Sequence, residues 1–214
     1  EPLLMDEHWQ ILEMLDQAER YDVILTYNTN LSKLTYKDKN VLDYWRKWGR
    51  RVWLWPSIDE IGARAELIRS GTDWNNVVNN LKAALALDTH IKPNITVSVF
   101  NAFRIPEIIN ELVDIGIIRE SDEGYTNFNL NVLEFPKFYH VSVLPLEFRL
   151  QIREKLEKFI TEYDARFNVD IRPRFLHMFW HLEKPTMPEN QRLFATTGFK
   201  SRVAECTGVS RRAG

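Results

Sequence analysis

Short apolar runs closed by polar turn residues alternate along the chain with longer stretches in which apolar residues recur every three to four positions. Val23-Ile24-Leu25-Thr26-Tyr27, Val52-Trp53-Leu54-Trp55-Pro56 and Ile95-Thr96-Val97-Ser98-Val99 read as strands, being rich in β-branched and aromatic residues. Helices are predicted between them. One is capped by Asp6 and carries Trp9, Leu12 and Leu15 on one face. A second runs from Asp38 through Val41, Leu42, Trp45 and Trp48 to a stop at Gly49. Two more cover 61–68 and 74–87, the latter capped by Asp73, and another begins near Pro106 and closes at Gly116. Such alternation is the mark of parallel strands joined by crossover helices. It predicts an α/β fold with parallel strands over 1–145. Beyond Gly116 the alternation weakens. Strands are expected over 127–133 and 139–144. Helices are expected over 147–167 (with Leu150, Ile152, Leu156 and Ile160 apolar), 175–182 and 189–203, giving a mostly helical C-terminal extension over 146–214.

Three strands in turn end in small polar residues: Thr29 and Asn30, Ser57 and Asp59, and Asn101. A ring of polar groups at one rim is how parallel α/β folds build a site. Arg69 follows in the helical segment after Ser57 and Asp59, so this rim suits a ligand bearing both hydroxyls and a carboxylate.

Composition narrows the classes. The net charge of −2 provides no global field for nucleic acid or an anionic membrane. No apolar stretch approaches the ~20 residues of a membrane span. A lone cysteine, Cys206, forms no internal disulfide framework and suits a reducing, cytoplasmic setting. The opening Glu1-Pro2-Leu3-Leu4 reads as the end of a strand, so a fragment of a longer protein is expected.

Four of these stretches, in order over residues 1 to about 116, resemble the radical S-adenosylmethionine (SAM) family, particularly members with a SPASM or twitch extension. Glu1-Pro2-Leu3-Leu4 is similar to the tail of the Gly-Gly-Glu-Pro motif, and Thr29-Asn30 to the motif closing the next strand. Ser57-Ile58-Asp59 followed by Ile68-Arg69 resembles the Ser-x-Asp…Arg signature, and Val97-Ser98-Val99-Phe100-Asn101 the strand end after it. The resemblance implies a partial parallel (β/α) TIM-like barrel over 1–145 that lacks its first strand and cluster loop, with a SAM pocket made by Glu1, Thr29, Asn30, Ser57, Asp59, Arg69 and Asn101. Chemically, Glu1 suits the α-ammonium and the Arg69 fork the α-carboxylate. Ser57 can meet a carboxylate or ribose oxygen, and Thr29, Asn30 and Asn101 the ribose or adenine edges. Asp59 suits either a ribose hydroxyl or the orienting of Arg69. The resemblance also implies a 4Fe-4S cluster, an electron donor, and a peptide or small-molecule substrate from which a 5′-deoxyadenosyl radical takes hydrogen. Such a cluster needs a cysteine triplet. Only Cys206 is present, so the chain as written is expected to hold no cluster and to be inactive.

Plainer readings compete. Ser57 and Asp59 suit a turn and helix cap, Arg69 an ion pair with Glu66, and Glu1 a solvated terminus. His177 and His181, spaced i, i+4, can share a helix face as metal ligands. The zincin glutamate is absent and Phe179-Trp180 adjoins them, so packing is favoured and no metal is expected. The Arg46–Arg51 basic run reads as a solvated helix end rather than a nucleic-acid patch. A non-catalytic binding protein holding a nucleotide-like ligand at the rim is the alternative from another class. A barrel hydrolase or isomerase needs a convergent acid–base pair, and none is visible.

Overall fold

The computed structural model describes residues 1–119 and 127–185. Its contacts divide the chain into two units, Glu1–Ile95 with Glu107–Asn129, and Thr96–Pro106 with Leu130–Gly214. Residues 130–146 thus group with the following helices in the second unit.

The first unit begins with a 3-10 turn, Pro2–Leu4, in place of the expected strand end. Leu3 is buried and its carbonyl accepts from Trp9 Nε1 at 3.1 Å. Helix α1 (Asp6–Gln17) buries Trp9 and Leu12. Asp6 lies in its first turn and not at the cap, pairing with Lys37 Nζ at 2.6 Å, where negative charge suits the helix dipole. Strand β1 (Leu25–Thr29) starts later than expected because the chain turns over residues 20–23, where the Val23 amide donates to the Arg20 carbonyl. Strands β2 (Thr35–Tyr36) and β3 (Lys39–Asn40) form a hairpin whose turn uses Lys37 at φ 54°. The hairpin consumes Asp38, so helix α2 (Val41–Trp48) begins later, and Asn40 caps it by accepting the Leu42 amide at 3.0 Å. Gly49 ends α2 at φ 53°, a conformation that favours glycine.

Strand β4 (Val52–Pro56) forms where expected and pairs in parallel with β1, from Leu25 opposite Val52 to Thr29 opposite Pro56. The two strands thus end level, and the Ser57 amide donates to the Thr29 carbonyl at 2.9 Å. Helices α3 (Gly62–Ile68) and α4 (Trp74–Leu85) follow, with Asp73 capping α4 through the Asn76 amide at 3.0 Å. Strand β5 (His90–Ile91) pairs in parallel with β4. Strand β6 (Asn94–Val97) starts beside the end of β4 through a parallel bridge between Ser57 and Asn94. Helix α5 (Ile105–Asp114) carries the chain toward strand β7 (Asn129–Val132), which pairs with β6. The amides of Asn129 and Leu133 donate to the carbonyls of Pro93 and Val97 at equal sequence offset, so β6 and β7 also run parallel. The result is a mixed α/β structure with small parallel sheets, β1-β4-β5 and β6-β7. No closed barrel forms among the described residues.

Under the first sheet, Val52 and Leu54 are inaccessible, and Trp45 meets the Tyr27 ring at 5.3 Å between centroids. Burying a tryptophan, ~200 Å² at ~25 cal/mol/Å², contributes about 5 kcal/mol before entropy is counted. The basic run after Arg46 is tied down as a helix end: Lys47 pairs with Asp16 at 2.6 Å and Arg51 donates to the Asp22 carbonyl at 2.8 Å.

In the second unit, helices α6 (Leu146–Phe167) and α7 (Arg172–Glu183) match the helical expectation. Along α6, Ile152, Leu156, Phe159, Ile160 and Tyr163 are buried, whereas Leu150 is exposed. The strand expected over 139–144 is instead two 3-10 turns, Lys137–Tyr139 and Val141–Val143. The cause is local: the His140 ring accepts the Ser142 amide at 3.1 Å and bends the chain out of an extended path. Arg149 is buried and donates to the carbonyls of Leu144, Leu182 and Lys184 at 3.1, 2.7 and 2.5 Å, which fastens the end of α7 to the start of α6. The helix expected over 189–203, and Cys206, lie outside the described residues. Among the described residues no helix is long and apolar enough to cross a membrane.

Candidate functional site

Because β1 and β4 end level, their first loop residues share one edge of the sheet. The Glu1 carboxylate reaches this edge and is held there. Thr29 Oγ1 donates to its Oε1 at 2.5 Å, and the Asn30 amide donates to its Oε2 at 3.0 Å. Thr29 is buried and also accepts the Leu31 amide at 3.0 Å, so its hydroxyl is fully engaged in anchoring Glu1 and the loop. Asn30 Oδ1 accepts the Ser32 amide at 2.9 Å, while its side-chain NH₂ has no partner among the described residues.

Ser57, Asp59 and Arg69 line one narrow cleft, together with Asn30, Thr72 and Trp74. Arg69 Nε donates to Asp59 Oδ2 at 2.7 Å. Asp59 therefore orients Arg69, and Glu66 does not: Glu66 Oε1 instead accepts the Trp74 amide at 3.2 Å at the start of α4. With Nε committed, the two terminal nitrogens of Arg69 make no hydrogen bond among the described residues. The Ser57 hydroxyl has none there either, its backbone alone being paired. An anchored guanidinium edge beside an uncommitted hydroxyl is suited to a carboxylate. The cleft's enclosed space is about 20 Å³, little more than one water requires, so it seats a small group and not a whole nucleoside.

Asn101 lies in the second unit and is turned into its own loop. Its Oδ1 accepts the Ser98 amide at 2.8 Å and its Nδ2 donates to the Thr96 carbonyl at 2.8 Å, with the residue 1% exposed. These bonds make it a device for closing the chain after β6.

Two neighbours of the rim were not singled out from sequence. Glu60 is buried and binds Arg64 at 3.0 Å and its following amide at 3.2 Å. Its adjacency to Ser-x-Asp was visible, but an acid after a turn gives no sign of burial. His8 donates to or accepts from the Tyr27 hydroxyl at 3.1 Å. Burial holds the His8 pKa below its ordinary value against an opposing pull from Glu1, and burial raises Tyr27 to about 12.

A second cluster lies within the second unit. His140 Nε2 is 2.6 Å from His181 Nδ1, and His181 Nε2 is 3.0 Å from His177 Nε2 and 3.7 Å from Glu134 Oε1. The i, i+4 spacing on α7 does place His177 and His181 together, as the sequence allowed. Glu134 and His140 were invisible partners, being distant in the chain. His181 is wholly buried, and burial, followed by the Lys184 charge, lowers its pKa to about 4.

No family model, curated protein or solved structure matches the chain.

Proposed function

We propose that the first unit is the SAM-holding part of a radical SAM enzyme, with the cofactor lying along the C-terminal ends of β1 and β4. The observation that carries this reading is the Arg69 guanidinium, fixed by Asp59 with its terminal nitrogens uncommitted, in the same cleft as the Ser57 hydroxyl. Arg69 would pair the α-carboxylate, with Ser57 adding a hydrogen bond to the same group. The cleft's small volume suits that carboxylate alone, leaving ribose and adenine on the open edge. Glu1, oriented by Thr29 and Asn30, retains carboxylate lone pairs for an ammonium, and the Asn30 NH₂ is available to a ribose or adenine edge. Asn101, satisfied by its own loop, is left out of this set.

The strands follow one another in chain order without a reversal, which supports a partial barrel of the (β/α) type over a doubly wound sheet. In such enzymes SAM and a reduced 4Fe-4S cluster together supply a carbon-centred radical for hydrogen abstraction. The residues present do not fit the cluster, since these 214 include one cysteine, and no step is assigned through it. What this chain's own groups would do is bind the amino-acid end and fix its direction.

The test is equilibrium dialysis of labelled SAM against the chain and its Arg69→Ala variant. A charge-assisted contact worth ~1.5–3 kcal/mol predicts at least about tenfold weaker binding. Equal binding by the two proteins, or none by either at millimolar SAM, removes the proposal. Binding of free nucleotides as tightly as SAM favours the binding-protein alternative.

A further inference from the structure

We propose that Glu134, His177 and His181 form a site for one divalent transition-metal ion of the zinc type, with His140 and Ser142 setting the orientation and tautomer of His181. The ligand atoms all lie within 4.8 Å of one another, the two histidine nitrogens being 3.0 Å apart and Glu134 Oε1 3.7 Å from His181 Nε2. Metal–ligand bonds of ~2.0–2.1 Å in tetrahedral geometry put ligand atoms about 3.3 Å apart. Small rotations of the exposed His177 and Glu134 side chains cover the difference. Two imidazoles and a carboxylate match the borderline-soft preference of zinc and leave further positions to water. One helix turn supplies both histidines, and Glu134 follows the C-terminal end of β7.

Support behind the ligands is already built. A metal-bound histidine needs a partner on its second ring nitrogen, and His140 Nε2 lies 2.6 Å from His181 Nδ1. The Ser142 backbone amide can only donate, so without metal His140 Nδ1 accepts from it. His140 then carries its proton on Nε2 and donates to His181 Nδ1. His181 in turn carries its proton on Nε2, aimed at His177 and Glu134.

Metal on His181 Nε2 requires the proton to sit on Nδ1. That reverses the bond to His140, whose proton moves to Nδ1 and is accepted by Ser142 Oγ, 2.7 Å away. Both rings stay neutral and no proton is lost from either; two tautomers exchange. The cost is the Ser142 amide bond, and the Lys184 charge, near enough to act on both rings, also opposes a dication. Binding is therefore expected to be moderate in strength and selective for ions that favour imidazole.

The experiment uses the full chain, freed of metal by chelator, with Cys206→Ser to remove the thiol as a competing ligand. Zinc chloride is titrated calorimetrically, Co²⁺ reports geometry by its visible spectrum, and long-range ¹H–¹⁵N spectra read the tautomers. Expected results are one ion per chain, lost in His177→Ala and in Glu134→Ala, both exposed positions whose circular dichroism stays unchanged. Ser142→Ala, which touches no ligand atom, weakens binding about tenfold. In the wild type both His140 and His181 pass from Nε2–H to Nδ1–H on adding zinc. Absence of saturable binding, or binding that survives both ligand variants, or tautomers that do not move, each overturns the proposal.

Discussion

Replacing Asp59 by Asn keeps the shape of the side chain that holds Arg69 and deletes its charge. Charge centres ~4 Å apart attract by between about 1 kcal/mol at the dielectric of water and about 4 kcal/mol at an effective value of 20. The Asp59 side chain is 16% exposed and that of Arg69 36%, so the pair sits between these limits. Desolvation and the ordering of the long arginine chain offset most of the attraction, leaving a coupling of about 1 kcal/mol. Asp59 has further interactions, so the single variant overstates the pair. A double-mutant cycle of Asp59→Asn with Arg69→Met isolates it. Urea unfolding followed by circular dichroism at 50 and 500 mM NaCl is the assay. The coupling is expected to fall by roughly half at the higher salt, where the Debye length is shorter than half its low-salt value. A coupling below ~0.3 kcal/mol at both salts refutes the argument that Asp59 fixes the guanidinium, and with it the basis for Arg69 as an oriented anion receptor.

Other outcomes follow from the same geometry. Asn101→Ala removes the bonds that the side chain makes to the Ser98 amide and the Thr96 carbonyl in a buried loop, and a loss of about 2–4 kcal/mol in unfolding free energy is expected, with SAM binding by the first unit unchanged. Asn101→Asp keeps the acceptor for Ser98 but sets a carboxylate against the Thr96 carbonyl, so thermal melts should show it no better tolerated than Ala. His8 has its folded pKa depressed by burial, so its contribution to stability is full above the unfolded value near 6.5 and is lost as pH falls through the folded value. His8→Gln should flatten the stability profile below pH ~6.5, and Glu1→Gln should lower the His8 pKa further in an NMR titration, since the Glu1 charge now raises it.

The longer strands β1, β4, β6 and β7 and most helices were legible because they depend on local composition: β4 runs over Val52–Pro56 and α4 starts at Trp74 behind Asp73, where turn and cap chemistry mark the boundaries, whereas the two-residue strands β2, β3 and β5 carry too little pattern to be read. The sequence alone also determined that Ser57, Asp59 and Arg69 would follow one strand end, and that His177 and His181 would share a helical face. Tertiary structure decided what these residues face. It gave Asp59 to Arg69, gave the Thr29 hydroxyl to Glu1, turned Asn101 into its own loop, and brought Glu134 and His140 to the α7 histidines. The turns that stand in place of the strand expected over 139–144 arise locally, one histidine ring having captured the amide two residues on. The tertiary pairings share one physical reason. Periodicity reports which side of an element is apolar, whereas a hydrogen-bond partner is chosen by distance in space, and residues far apart in the chain become near only after the backbone has packed.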